Sequence, residues 1–130
     1  MNITIPGPLP TVNHCYTTVA HAKGKLSRFK SKKYVHFMST VHQIISSKYG
    51  ITYPLLEVKD KTSSPINVEI MLYFVSPHTH DVDNYGKALF DSFNGKIWSD
   101  DCEVGTLKIS KQKCILKKEE RAEVHVELSP

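Results

Sequence analysis

Three aspartates and one lysine carry the strongest chemical signal in this sequence. Asp81-Val82-Asp83-Asn84 is followed by Lys87, and Trp98-Ser99-Asp100-Asp101 comes after one further helix and turn. Asp81 and Asp83 lie two apart beyond an extended segment, so both carboxylates can point the same way. With Asp101 they would bring carboxylates from two chain segments to one end of a sheet. That is a set of hard oxygen ligands suited to Mg²⁺, with positions left open for water and phosphate. Lys87 sits one helical turn beyond Asn84, near the positive end of a helix. From there its ammonium can orient an attacking water or stabilise charge on a phosphate. A plainer reading competes, in which Asp83 only caps the helix and Lys87 is a solvated surface lysine. A D-x-D pair arises often by chance, so spacing alone leaves both open.

Other chemistries find less support. His78-Thr79-His80-Asp81 suggests zinc, but the fuller His-x-His-x-Asp-His hydrolase pattern fails at Val82. His14, His21, His36, His42 and His125 show no ligand spacing, and His42 is expected to border a helix face. Neither a Gly-x-Ser-x-Gly elbow nor a P-loop glycine pattern is present. Cys102 reads as a small buried residue rather than a nucleophile, since nothing beside it in sequence would lower its pKa.

The elements that must position these residues follow from periodicity. Asn2–Ile5 reads as a first strand, stopped by Pro6, Pro8 and Pro10. Residues 17–30 lack a clear period and read as an exposed, mobile loop. From Ser31, the residues Tyr34, Phe37, Met38, Val41, Ile44, Ile45 and Tyr49 recur at helical spacing, and Gly50 is placed to end the helix. Val68–Val75 is apolar on most positions and reads as a strand covered on both faces, closed by Pro77. Asp83 is placed to cap a second helix from Asn84 to about Asn94, with Leu89, Phe90 and Phe93 inward and Gly95 as its stop. Two strands follow, one over Val104–Ile109 and one in which Ala122, Val124, Val126 and Leu128 alternate inward. The predicted fold is α/β (α+β), one small domain over residues 1–130, a mixed β-sheet with two main helices in the order βαβαββ.

A chain of 130 residues with 40% apolar and 23% charged content fits such a compact domain. No apolar run approaches the ~20 residues of a membrane span, and the first ten residues lack the pattern of a signal peptide. A cytoplasmic protein with no membrane partner is expected, its Cys15, Cys102 and Cys114 reduced. The net charge of +4 is unevenly placed. Residues 1–50 carry Lys23, Lys25, Arg28, Lys30, Lys32, Lys33 and Lys48 and no acid. Residues 81–103 carry Asp81, Asp83, Asp91, Asp100, Asp101 and Glu103 against Lys87 and Lys96, after which Lys108, Lys111, Lys113, Lys117 and Lys118 follow. Basic flanks suit a polyanion while a bare acidic centre repels one, and a cation held by the carboxylates removes the conflict. Chemistry on a phosphate is the reading this favours over simple DNA binding. Acids that merely solvate a surface are the alternative.

With these residues identified, nearly the whole chain resembles the RusA family of Holliday-junction resolvases, small phage and prophage endonucleases. The resemblance rests on Ile3-Thr4-Ile5-Pro6, on Pro10-Thr11-x-Asn13-x-x-Tyr16, on Asp81-x-Asp83-Asn84-x-x-Lys87 with Phe90-Asp91, and on Trp98-x-Asp100-Asp101 with Val104. It implies Asp81, Asp83 and Asp101 as metal ligands, Lys87 as the catalytic lysine, and Asn84 and Asp100 as supporting residues. It further implies Mg²⁺ or Mn²⁺ as cofactor and a homodimer that nicks two strands of a four-way junction in recombination and repair. A cytoplasmic, nucleoid-associated protein of a bacterial or phage-infected cell would fit that role. Where family members often carry Arg or Lys, this chain has His14, His78 and His80. The basic residues Lys23, Lys25, Arg28, Lys30, Lys32 and Lys33, with the lysines from Lys108 to Lys118, are then expected to contact the DNA backbone. Two rival readings are a less selective fork or flap nuclease in phage DNA processing, and a non-catalytic DNA-binding module with structural aspartates.

Overall fold

The structure, a computed structural model, describes residues 1–11, 16–20, 24 and 26–129. The longest periodic pattern in the sequence becomes its longest helix, α1 (Lys32–Tyr49). Ser31 starts it by accepting a hydrogen bond from the Tyr34 N–H at 3.1 Å, which satisfies one of the donors a helix start leaves over. Gly50 ends it at φ 90°, a backbone region that a residue with a Cβ adopts only at a cost. Tyr34, Phe37, Val41 and Ile45 form its buried stripe.

That stripe packs over a mixed sheet of four strands, β1 (Asn2–Pro6), β4 (Ile66–Phe74), β5 (Val104–Lys113) and β6 (Arg121–Leu128), arranged in the order β1-β6-β4-β5. β6 runs antiparallel to both β1 and β4, while β4 and β5 are parallel. The parallel pair is bridged by α2 (Gly86–Phe93), the crossover such a pair requires. Ile3, Ile5, Val68, Ile70, Leu72, Ala122, Val124 and Val126 line the buried face of the sheet and join both helices in one core.

Several expectations need correction. Residues 17–30 are not simply a loop, because β2 (Tyr16–Ala20) and β3 (Leu26–Lys30) pair as an antiparallel hairpin in a sheet of their own. The β-branched Thr17, Thr18 and Val19 were the available strand signal. β4 is covered on one face only: Ile66, Val68, Ile70, Leu72 and Phe74 are buried, whereas Glu69 on the opposite face is exposed and Met71 and Tyr73 are partly so. Its apolar excess on that side is met instead by side-chain stacking, with the Arg121 guanidinium 3.9 Å from the Tyr73 ring centre. Leu128, the last residue of β6, is exposed rather than inward. Finally, Asp83 does not cap α2. It lies within a 3₁₀ turn over Val82–Asn84, and the residue before α2 is Tyr85, which makes no side-chain cap.

No helix among the described residues is long and apolar enough to cross a membrane. Cys102 is an exposed free thiol and Cys114 a buried one, while Cys15 lies outside the described residues. The expectation of a buried Cys102 is therefore wrong.

Candidate active site

Beside α2, against Leu107 and Ile109 within β5 rather than at the end of the sheet, the chain forms a pocket of about 410 Å³. Asp83, Lys87, Asp91 and Asp101 line it, with Gly86, Phe90, Leu107 and Ile109 as its apolar walls. Asp83 arrives on the turn after β4, Lys87 and Asp91 on successive turns of α2, and Asp101 on the turn that leads into β5. The Asp83 carboxylate is not used to cap the helix. Lys87 faces the carboxylates, and its Nζ stands 3.3 Å from Asp91 Oδ2. The first feature disfavours the plainer reading of Asp83 as a helix cap, while Lys87 remains exposed at the pocket's edge.

Asp101 is held by a tightly bonded turn. Asp100 Oδ1 accepts from the Cys102 N–H at 3.3 Å, while Glu103 Oε1 accepts from the Ser99 and Asp100 N–H groups at 2.9 and 3.1 Å. Glu103 is itself buried, which fixes the turn against the domain. Trp98, with no exposed surface, anchors the segment. It packs edge-on against Phe90 and Phe93 at 5.2 and 5.6 Å and donates from Nε1 to Asn94 Oδ1 at 2.6 Å. At Gly105 a Cβ would stand 2.1 Å from the Ser64 carbonyl oxygen, so only glycine lets β5 leave this turn as it does.

Asp81 lies just outside this pocket, exposed, with its carbonyl accepting from the Asn84 N–H at 3.2 Å. Asn84 is half-buried, and this backbone bond helps close the turn that presents Asp83. The loop is pinned from the far side by Lys111, whose Nζ donates to the Pro77 and His80 carbonyls at 2.8 and 2.7 Å. The His80 ring stacks on Phe74 at 4.0 Å and meets the Tyr85 hydroxyl at 2.6 Å, an arrangement that occupies it structurally. Among the described residues, no three His, Cys, Asp or Glu side chains stand close enough to grip an ion as placed.

The electrostatics of the pocket nevertheless favour a cation. A hydrogen bond to Asp100 raises the Asp101 pKa from its ordinary value; burial and the negative charges of Asp100 and Asp91 add to the rise, and Asn94 opposes it. The Asp100 pKa is lowered, first by the same bond to Asp101 and then by the Cys102 N–H. Their shared hydrogen bond thus shifts the two carboxyls in opposite directions, and carboxylate oxygens are the donors a hard divalent cation takes.

The basic segment is spread over more than one surface. Lys30 borders a groove with His42, Tyr53 and Lys96, while Lys33 borders a separate one with Pro6–Pro10, His36 and Phe37. Arg28 is on β3 opposite Thr18, and Lys23 and Lys25 lie outside the described residues, as do His14 and His21. His42 does border a helix face. Its Nε2 meets the Ser92 carbonyl oxygen at 2.9 Å, and burial, with the charges of Lys96 and Lys30, lowers its pKa. In the later basic run Lys111 is committed to the two carbonyls and Lys117 to Glu120 at 2.8 Å. Neutralising Lys23, Lys25, Arg28, Lys30, Lys32 and Lys33 together is expected to weaken DNA binding. It should also flatten the plot of log K against log salt by about 0.9 for each phosphate that is no longer neutralised. Fluorescence anisotropy across a salt series checks this, and an unchanged slope removes the segment from the interface.

Sequence reasoning gave Asp91 no role of its own and left Leu107 and Ile109 outside the site. The i,i+4 spacing of Asp91 from Lys87 was a usable signal. The strand residues had none, since only the pairing of β5 beside β4 brings them to the pocket. A comparison with family models matches residues 6–128 to the family described as endodeoxyribonuclease RusA. A search of curated proteins gives no match.

Proposed function

The chain belongs to the RusA family of endodeoxyribonucleases, which are Holliday-junction resolvases, and on that premise we propose that it resolves four-way DNA junctions by Mg²⁺-dependent paired nicking. The observation that carries this reading is the convergence of Asp83, Asp101, Asp91 and Lys87 on one pocket from three chain segments. Nucleases of the family are metal-dependent in general terms. Here Asp83 and Asp101, with Asp81 at the start of the turn that carries Asp83, are the residues that would hold the ion, Mn²⁺ serving in place of Mg²⁺. The ion would supply Lewis acidity to the phosphate and make water more acidic.

The chain's own residues account for the rest. Lys87 carries a positive charge into an otherwise acidic pocket, where it stabilises the charge that builds on the phosphate oxygens. Phe90, Leu107 and Ile109 form an apolar wall beside these charges. Water attacks phosphorus and gives up a proton to solvent, the bond from phosphorus to O3′ breaks, and the departing O3′ takes up a proton from solvent, giving a 5′-phosphate and a 3′-hydroxyl. Asn84 and Asp100 support the site by shaping the turns that present Asp83 and Asp101.

A four-way junction has an approximate twofold axis, and the described residues bring Asp83, Asp101 and Lys87 together in one pocket, so a C2 homodimer presents the two active centres that paired cuts need. The experiment incubates the protein with a four-way junction, a fork and a linear duplex, each with Mg²⁺ and with EDTA. Paired cuts in the junction alone, abolished by EDTA, are expected. Equal cutting of forks would favour the less selective nuclease, and cutting in EDTA would overturn the metal requirement. Mixing wild type with Asp81→Asn protein should give heterodimers that nick one strand without resolving the junction. A monomer by light scattering that still makes paired cuts would overturn the dimer.

A further inference from the structure

Asp91 lines the pocket beside Lys87, and the carboxylate oxygen that meets the lysine is also tied to the core. Its Oδ2 accepts a hydrogen bond from the hydroxyl of Tyr34 and also lies 3.3 Å from Lys87 Nζ. Tyr34 is entirely buried in the first turn of α1, so its hydroxyl is a fixed point. A lysine side chain, by contrast, has four rotatable bonds, and Lys87 is 44% exposed. An ammonium on so flexible a stem serves a reaction well only when something restricts where it stands. The chain Tyr34–Asp91–Lys87 supplies that restriction, running from the core through a half-buried carboxylate to the pocket.

We propose that Asp91 is a positioning residue for the cleavage reaction, acting through Lys87 and itself oriented by the Tyr34 hydroxyl. The inference rests on the reading of Lys87 as the lysine that stabilises charge on the phosphate. Two other roles for Asp91 compete with it. As a purely structural link between α1 and α2 it would affect stability and not the rate per folded molecule. As a direct metal ligand it would affect the Mg²⁺ requirement, whatever stood at position 87.

A double-mutant cycle on the full protein separates these roles. Single-turnover cleavage of a four-way junction is measured for wild type, Asp91→Asn, Lys87→Met and the double variant, with junction affinity, half-saturating Mg²⁺ and thermal unfolding followed alongside. Asp91→Asn is expected to slow cleavage about tenfold, the scale of a displaced catalytic group, with junction affinity and half-saturating Mg²⁺ unchanged. In the Lys87→Met background the same substitution should cost nothing further. Tyr34→Phe should reproduce the slowing in weaker form while keeping the ring that fills the core, and it serves as the test should Asp91→Asn fail to fold. Equal losses in both backgrounds, or a raised Mg²⁺ requirement, would overturn the positioning role. If Lys87→Met itself cuts normally, the underlying reading of Lys87 falls, and this inference with it.

Discussion

Asp83→Asn and Asp101→Asn should each slow junction cleavage by at least ~10²-fold while leaving junction binding in place, and Asp81→Asn should do the same. The amide keeps the size of the carboxylate and removes the charge that a hard divalent cation requires. Binding is expected to survive because affinity for DNA comes mainly from contacts with the phosphate backbone, and the three aspartates contribute none of the positive charge involved. Cleavage rates, gel-shift affinities and circular dichroism distinguish the outcomes. A variant that cuts normally removes its residue from the site, and one that loses binding and ellipticity together reveals a folding role. Asp81 is the most exacting case, because it stands outside the pocket that Asp83 and Asp101 share.

Lys87→Met should keep the fold and most of the junction affinity, yet cut ~10²- to 10³-fold more slowly. That is the usual cost of removing one group that stabilises developing charge. Methionine has an unbranched stem of similar size, so the contacts along the side chain change little. The ammonium disappears from a pocket that otherwise holds three carboxylates. If the lysine acts on the transition state, the rate of the chemical step falls and substrate affinity barely changes. A fall in affinity with an unchanged single-turnover rate would place Lys87 among the backbone contacts instead. The exposure of its side chain, 44%, means that simple loss of the ion pair with Asp91 should have little effect on stability. A large drop in melting temperature would therefore count against a chemical role.

Much of this site was legible in the sequence because it is written locally. The spacing of Asp81, Asp83, Asn84 and Lys87 places them on one turn and the start of one helix, and Trp98 with Asp100 and Asp101 forms a second local unit. α1 was equally legible, since a helix repeats every few residues and its stripe of Tyr34, Phe37, Val41 and Ile45 shows that period directly. Ser31 and Gly50 mark its ends by side-chain and backbone chemistry that needs no distant partner.

Strand partnership has no such local mark. That β6 lies between β1 and β4, and that β5 runs parallel to β4, are outcomes of hydrogen bonding between segments far apart in the chain. Leu107 and Ile109 become walls of the pocket only through that pairing. The hairpin of β2 and β3 likewise depends on cross-strand register more than on any repeat within Tyr16–Ala20 or Leu26–Lys30. Asp83 reads locally as a helix cap and is freed from that task because the chain makes a 3₁₀ turn first. Tyr34 reads as one more core residue, and only the packing of α1 beside α2 brings its hydroxyl to Asp91. The sequence by itself therefore determined which residue types could do the chemistry and which local elements would carry them. The tertiary structure alone decided which of them meet, because a meeting depends on contacts between distant segments, for which no local spacing carries a signal.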